Sequence, residues 1–411
     1  MNKKDKPIYL TYIGTTKIAF LKAYSRPSGP IEVTALSAHL ANGFERGIVK
    51  DLIQASQTLS NSVSEVLGEE KSIVPSRLVI SNVYLKSYTF QSSVYFHGNP
   101  HPITLKDVRA AIAQTRSVAN IPLQEVIIQE VPQEFLVNDL AGVQNPLGLE
   151  ANRLGVTLRL LTLDGLVYNN LLRVFERCDL ELTDIIPSML SASQSVLTLQ
   201  EKQTGVILVV IGGGATHFAC YKNSVLVETR SIPIGSDCIT EVISKHLNIE
   251  HLDAQRLKES FGSAVTKTEF KDELIPIPDS ENRKKHPIRR FEFETQMASG
   301  LDVFFKEIKN EIQILQSFYA PLTQIVFTGG GVKLDGFLET VQEQISPASR
   351  IGTAQQVTGP EALTSDPAFS AALGGILYSS RISEHDMMRL GHQNWLSRTV
   401  EAARNWIFEY L

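Results

Sequence analysis

The chain has little of what would mark several kinds of protein. It has three cysteines, Cys178, Cys220 and Cys238, widely separated and in none of the spacings that bind zinc or form a redox pair. That excludes a disulfide scaffold and fits a reducing compartment, with core packing as the expected role of the thiols. No apolar run approaches the roughly 18 residues a membrane-spanning helix needs. Residues 1–6 are polar and no secretory core follows them, so the expectation is a cytoplasmic protein. Positive charge is not in excess: the net charge is −5, which argues against general affinity for nucleic acid. What remains is an ordinary globular composition, 43% hydrophobic and 20% charged over 411 residues, enough for two domains with substantial cores.

Two glycine turns stand out against this background. A strand-like run, Pro7 to Ile13, leads into Gly14-Thr15-Thr16-Lys17 and a second alternating apolar run, Ile18 to Tyr24. In the other half, Val206 to Ile211 leads into Gly212-Gly213-Gly214-Ala215-Thr216-His217 and the run Phe218 to Val227. The same strand, turn, strand unit therefore occurs in each half, the pattern of a duplicated α/β architecture. Glycine admits positive φ and close backbone approach, so peptide N–H groups can point at phosphate oxygens, with Thr15, Thr16 and Lys17 adding donors.

With these turns the chain resembles the actin superfamily, and within it the bacterial cell-division family FtsA. A third superfamily turn is present as Thr328-Gly329-Gly330-Gly331-Val332-Lys333. The segments most particular to FtsA are Val131-Pro132-Gln133-Glu134-Phe135, Gly142-Val143-Gln144-Asn145-Pro146-Leu147-Gly148-Leu149, Val174-Phe175-Glu176-Arg177-Cys178 and Ser191-Ala192-Ser193-Gln194-Ser195-Val196-Leu197-Thr198, and with Arg350-Ile351-Gly352 and Ala372-Leu373-Gly374-Gly375 the match runs over almost the whole chain. The resemblance implies an actin-like duplicated two-domain fold. Its first domain would comprise 1–85 and 156–204, interrupted by the family's own inserted subdomain at 86–155. The second domain would comprise 205–242 and 306–378, with a smaller subdomain at 243–305. A linker, 379–394, and a terminal helix, 395–411, would follow.

The resemblance also implies a nucleotide site for ATP or ADP. It would be formed by Gly14, Thr15, Thr16, Lys17, Gly212, Gly213, Gly214, Ala215, Gln255, Lys258, Gly329, Gly330, Gly331 and Lys333, with Gln255 standing where relatives usually carry Glu. The family's metal-holding acids are absent: the matching positions are Tyr12, Val210 and His217. Magnesium wants oxygen ligands; Tyr12 offers a neutral phenol, Val210 nothing, and His217 a softer nitrogen or a positive charge. Phosphoryl transfer depends on positioning and charge neutralisation, so the expectation is a pseudo-ATPase with no assigned catalytic or metal residue.

Two stretches point to partners. The basic run Arg283, Lys284, Lys285, Arg289 and Arg290, beside Phe291 and Phe293, reads by itself as a solvated loop with a strand after it. By resemblance it would receive the acidic C-terminal peptide of the tubulin-like protein FtsZ. The terminal segment reads as an amphipathic helix, with Trp395, Leu396, Val400, Ala403, Trp406, Ile407, Tyr410 and Leu411 on one side. Its charges cancel, so insertion into a membrane surface would rest on apolar burial. At about 25 cal/mol per Å² over roughly 500 Å², helix ordering offsets most of the gain, leaving one foot weak and a polymer of many feet strong. The expected function is an FtsA-like scaffold that polymerises on the inner membrane face at the division site and anchors FtsZ filaments. Other divisome proteins would be met through the inserted subdomain. An ATP-hydrolysing filament protein and a peptide-binding adaptor like PilM stay open as alternatives.

Overall fold

The computed structural model describes residues 7–25, 30–68, 72–265, 272–277, 287–322 and 324–386, with 381–386 as backbone alone. Strands β1 (Pro7–Ile13), β2 (Lys17–Tyr24) and β3 (Ile31–Leu40) form an antiparallel meander. After a small hairpin, β4 (Phe44–Glu45) and β5 (Ile48–Val49), helix α1 (Leu52–Leu67) leads to β6 (Val74–Ile80), which joins β1 in parallel. Helix α1 starts at Asp51, whose carboxylate accepts from the N–H groups of Ile53 and Gln54 at 2.9 Å each. It stops at Gly68, φ 67°.

The insert then begins: β7 (Lys86–Tyr95), β8 (His101–Pro102), α2 (Leu105–Val118), β9 (Glu125–Val137), β10 (Leu140–Val143), β11 (Glu150–Ala151) and β12 (Arg153–Asp164). Its four-stranded sheet, order β10-β9-β12-β7, carries α2 against one face. Thr104 precedes α2, its N–H and hydroxyl both donating to the Asp107 carboxylate, at 2.8 and 2.5 Å. The boundary expected between residues 155 and 156 falls inside β12, a continuous strand that carries the chain from insert to first lobe. Helix α3 (Gly165–Arg177) and β13 (Leu180–Pro187), parallel to β6, complete this part, and α4 (Ser188–Val196) and α5 (Leu199–Thr204) lead onward.

The second lobe repeats the first. A meander, β14 (Val206–Ile211), β15 (Thr216–Lys222) and β16 (Val225–Ile232), precedes helices α6 (Asp237–Leu247) and α7 (His251–Phe261). Next come β17 (Leu274–Ile275), β18 (Ile288–Arg289) and the long helix α8 (Arg290–Tyr319). Strand β19 (Gln324–Thr328) joins β14 in parallel, as β6 joins β1, and α9 (Phe337–Gln344) and β20 (Ser349–Ile351) follow. The chain then returns to the first lobe. Strand β21 (Val357–Thr358) pairs with β3, α10 (Glu361–Thr364) follows, and α11 (Ser370–Asp386) packs on α4 and β1. The two main sheets are β13-β6-β1-β2-β3-β21 and β16-β15-β14-β19-β20.

One apolar cluster joins the lobes, with Leu10, Leu21 and Val79 from the first sheet, Leu208 and Val210 from the second, and Ala192, Leu373 and Ile376 from α4 and α11. The Gly374 position explains the Ala-Leu-Gly-Gly segment. A Cβ there would lie 1.8 Å from the Ser191 carbonyl oxygen, so α11 can cross α4 at this distance only through glycine. Cys178 and Cys220 are buried and Cys238 is half-buried, and burial pushes all three thiols up.

Two expectations are corrected. The end of the basic run lies in a two-residue strand, which holds Arg289, and in a 30-residue helix, which starts at Arg290 and runs through the boundary expected at 305/306. Phe293, Met297, Phe304, Ile308, Ile312 and Leu315 recur at helical spacing and are buried, so the run Phe291 to Phe293 opens a helix instead of a strand. Helix α11 continues to Asp386, so the first part of the stretch read as a linker is helical. Ser379 donates to the Gly375 carbonyl at 2.6 Å and Ser380 to that of Leu377 at 2.8 Å, both within the helix. Residues 395–411 lie outside the described residues.

Candidate functional site: two opposed glycine turns

The two turns close in the same way. The Gly14 N–H donates to the Lys17 carbonyl at 3.0 Å, and the Gly212 N–H donates to the Ala215 carbonyl at 2.9 Å. Their tips meet. A Cβ on Gly213 would lie 2.6 Å from Thr16 Cγ2, and one on Gly214 would lie 2.9 Å from Thr15 Cγ2 and from Arg46 Cγ. None of Gly14, Gly212, Gly213 and Gly214 has positive φ, so these turns use glycine for close approach and not for left-handed backbone. Positive φ occurs in the third turn, at Gly329 (φ 97°), where a Cβ would fall 2.3 Å from the Ile211 carbonyl oxygen. The third turn is thus packed against the second through Ile211, which ends β14.

The positions that lost their acids do not fit a magnesium ion. The Tyr12 phenol lies beneath the first turn, 2.9 Å from where a Gly14 Cβ would be, and burial pushes it up to about 12, so it stays neutral. Val210 is part of the core between the lobes. His217 is fully buried, with Nε2 2.7 Å from Ser81 Oγ and Nδ1 2.7 Å from Ser231 Oγ. Burial lowers its pKa to about 4, which overturns the expectation that it might carry a positive charge. Ser81 follows β6 in the first lobe and Ser231 lies on β16 in the second, so this ring bridges the lobes.

The remaining candidates divide. Lys17 is drawn toward the third turn: its ammonium stands 4.4 Å from the Phe369 ring, and burial holds its pKa down, offset in part by Asp366. Lys333 pairs with Asp366 at 2.8 Å, while the space at Gly330 is open, the nearest atom to a Cβ there being Ala368 Cβ at 3.8 Å. Lys258 is buried and donates to the Ser236 carbonyl at 3.0 Å. Gln255 bonds Glu259 on its own helix at 2.9 Å.

One residue at this site is missing from the sequence-based set. Asp237 opens α6, its N–H donates to the Gly213 carbonyl at 2.8 Å, and its carboxylate oxygens lie 2.8 and 2.9 Å from where a Gly213 Cβ would be. Burial raises its pKa, with Lys258 pulling the other way. The signal was Gly235-Ser236-Asp237 after a strand-like run, where Gly235 lets the α6 start approach the second turn: a Cβ there would be 2.2 Å from the Gly213 carbonyl oxygen.

The described part of the basic run is committed within the second lobe. Arg290 pairs with Glu273 at 2.6 Å and donates to the Phe261 carbonyl at 3.0 Å, and Arg289 lies 3.5 Å from Asp272. Arg283, Lys284 and Lys285 lie outside the described residues. Nearby is a groove of about 480 Å³ that sequence reasoning did not identify. Ala298, Leu301 and Phe305 of α8 line it, with Thr340 and Gln344 of α9, the exposed Lys306 and Lys309, and the acids Glu294 and Asp302.

A family model described as "Cell division protein FtsA" matches residues 207–374, and one described as "SHS2 domain inserted in FTSA" matches residues 83–162. The chain belongs to the FtsA family. It is 27% identical over 369 residues to cell division protein FtsA of Pseudomonas aeruginosa, covering 89% of this chain and 87% of the relative. To FtsA of Escherichia coli K12 it is 27% identical over 383 residues, covering 89% and 88%. Among solved structures the fold is like that of a PilM–PilN type IV pilus biogenesis complex, with TM-score 0.65, 14% identity, and 90% and 98% of the two chains covered. It is also like MreB5 of Spiroplasma citri bound to ADP, with TM-score 0.56, 14% identity, and 93% and 98% covered. The fold is therefore actin-like with the FtsA insert. The FtsA-like segment Val131–Phe135 lies on β9, where the Gln133 side chain donates to the Leu226 carbonyl of β16 at 2.5 Å and ties the insert to the second lobe.

Proposed function

We propose that this FtsA-family chain is a membrane-tethering scaffold of bacterial cell division. It would polymerise on the inner membrane face through residues 395–411 and hold FtsZ filaments there, with hydrolysis of ATP impaired or absent. The observation that carries the last part is the fate of the three metal positions: a neutral phenol under the first turn, a core valine, and a neutral histidine with both nitrogens engaged. Nothing at these positions neutralises charge on a phosphoryl group in flight. The FtsZ C-terminal peptide would lie in the α8–α9 groove, its apolar residues against Leu301 and Phe305 and its acids at Lys306 and Lys309, with Asp302 and Glu294 of the same lining limiting how much negative charge it accepts; Arg289 and Arg290 already have Asp272 and Glu273 beside them. In fluorescence anisotropy with a labelled FtsZ tail, Lys306→Glu with Lys309→Glu is expected to weaken binding about ten-fold or more. Unchanged affinity would remove the groove from the proposal. Flotation with anionic vesicles tests the foot: deletion of residues 395–411 is expected to leave the protein in the soluble fraction. The hydrolysing alternative predicts magnesium-dependent phosphate release well above that of a Lys17→Ala control.

A further inference from the structure

His217 does more than stand where an acid is lost. Its ring is fully buried between the lobes and both nitrogens are engaged, Nε2 with Ser81 Oγ and Nδ1 with Ser231 Oγ, each at 2.7 Å. A neutral imidazole donates at one nitrogen and accepts at the other, and a serine hydroxyl can do either, so Ser231, His217 and Ser81 satisfy one another in series. Both outer members are fixed before they meet the ring. Ser231 lies opposite His217 in the register of β15 and β16. Ser81 is held by its N–H, which donates to the Ile13 carbonyl at 3.1 Å, and by the next residue, Asn82, whose amide donates to the Gly47 carbonyl at 3.2 Å. The Ser81–His217 bond therefore crosses from lobe to lobe between two preset partners, and little further ordering opposes it.

A second crossing stands earlier on β16. Glu228 and the Val227 carbonyl accept from Arg159, and the Leu226 carbonyl accepts from Gln133, both residues of the insert that β12 carries into the first lobe. Only a rotation about the line joining the two crossings would spare both, and that rotation would pull apart the apolar cluster that the lobes share. We propose that the His217–Ser81 bond is a latch that keeps the two lobes in one closed arrangement whatever occupies the cleft between the turns. In a hinged two-lobe protein a ligand changes shape only by binding one arrangement better than the other. A latch made from the chain's own side chains removes that choice: the arrangement is set at folding, and a molecule that enters the cleft meets it without shifting it. Surfaces carried by the two lobes then keep one relative placement.

The proposal stands apart from the scaffold reading, since failure of vesicle or FtsZ-tail binding would leave it untouched. It is tested by double electron–electron resonance on the full chain, spin-labelled at Asn42→Cys in the first lobe and Lys245→Cys in the second and diluted into unlabelled protein. Both positions are exposed, and Cys238→Ala removes the one thiol that is not fully buried. With the latch unaltered, a single narrow distance is expected, and ATP with magnesium leaves it in place. Ser81→Ala, which removes only the partner across the cleft, is expected to add a second, longer distance in about a tenth of the molecules or more. Ser76→Ala deletes a buried hydroxyl that bonds Thr11 within the first lobe at 3.0 Å, and is expected to keep the single distance. Two distances with the latch unaltered, or one that moves with ATP, would overturn the proposal. So would a Ser81→Ala distribution identical to the unaltered one, which would assign closure to the shared core and the Arg159 crossing alone. Equal broadening in Ser81→Ala and Ser76→Ala would overturn it too, because general loosening of the first lobe would then be the cause.

Discussion

At the scale of single residues, His217 shows how a substitution that removes one chemistry installs another. Its position on β15 faces the first lobe, and a neutral imidazole there spans Ser81 and Ser231. Because its folded pKa is about 4 against an ordinary 6.5, the unfolded chain binds the proton more tightly over that interval. Stability from this group is therefore complete above about pH 6.5 and is lost as pH falls toward 4, by about 3 kcal/mol in all. Urea midpoints measured across that range should fall with pH, and the slope should flatten in His217→Asn. The sequence alone signalled that an acid was missing at this place. It could not signal that both ring nitrogens would be taken, because Ser81 and Ser231 are distant in sequence and meet His217 only through the lobe-to-lobe packing. For the same reason Asp237 went unnoticed: its part in the site depends on Gly235 bringing the start of α6 against the second turn.

Among the elements, the two strand, glycine turn, strand units were legible in the sequence and helix α8 was not. Asp51, Thr104 and the glycine turns mark their boundaries locally, through side-chain and backbone bonds within a few residues. Removing the α1 cap with Asp51→Ala should cost about 1 kcal/mol in chemical denaturation. The start of helix α8 was expected to be a strand because its residues are strongly charged there, and its apolar stripe becomes visible only over several turns. The contact of α4 with α11 makes a sharper prediction. Gly374→Ala would place a methyl 1.8 Å from a backbone oxygen that neither helix can move without breaking the core between the lobes. The expected loss is about 3 kcal/mol or more, seen as a lower melting temperature and poor soluble yield. Gly330→Ala, whose methyl would meet only Ala368 at 3.8 Å, should be nearly neutral in the same assay.

For the molecule as a whole, the insert is fastened to the second lobe as well as to the first, from which it grows. Arg159 on β12 donates to Glu228 of β16 at 2.9 Å and to the Val227 carbonyl at 2.5 Å, and Tyr319 at the end of α8 donates to the other Glu228 oxygen at 2.6 Å. Arg159 is buried, so Arg159→Met, which takes the paired cation from Glu228 and leaves it the Tyr319 hydroxyl and the Thr229 N–H, should cost about 3 kcal/mol. The double variant with Glu228→Gln should cost clearly less than the sum of the two single changes, as a double-mutant cycle would show. A different consequence follows from the pairing of β21 with β3. Residues 357 and 358 supply the edge of a sheet whose other strands include the first in the chain, and α11 then covers β1. On a ribosome the earliest lobe to emerge is therefore the last to be finished: Leu10 and Val79 wait for Leu373 and Ile376 before their side of the core is closed. A nascent chain halted anywhere before residue 357 would hold an open sheet edge and an uncovered apolar face, and would be a substrate for chaperones and proteases instead of a smaller working protein.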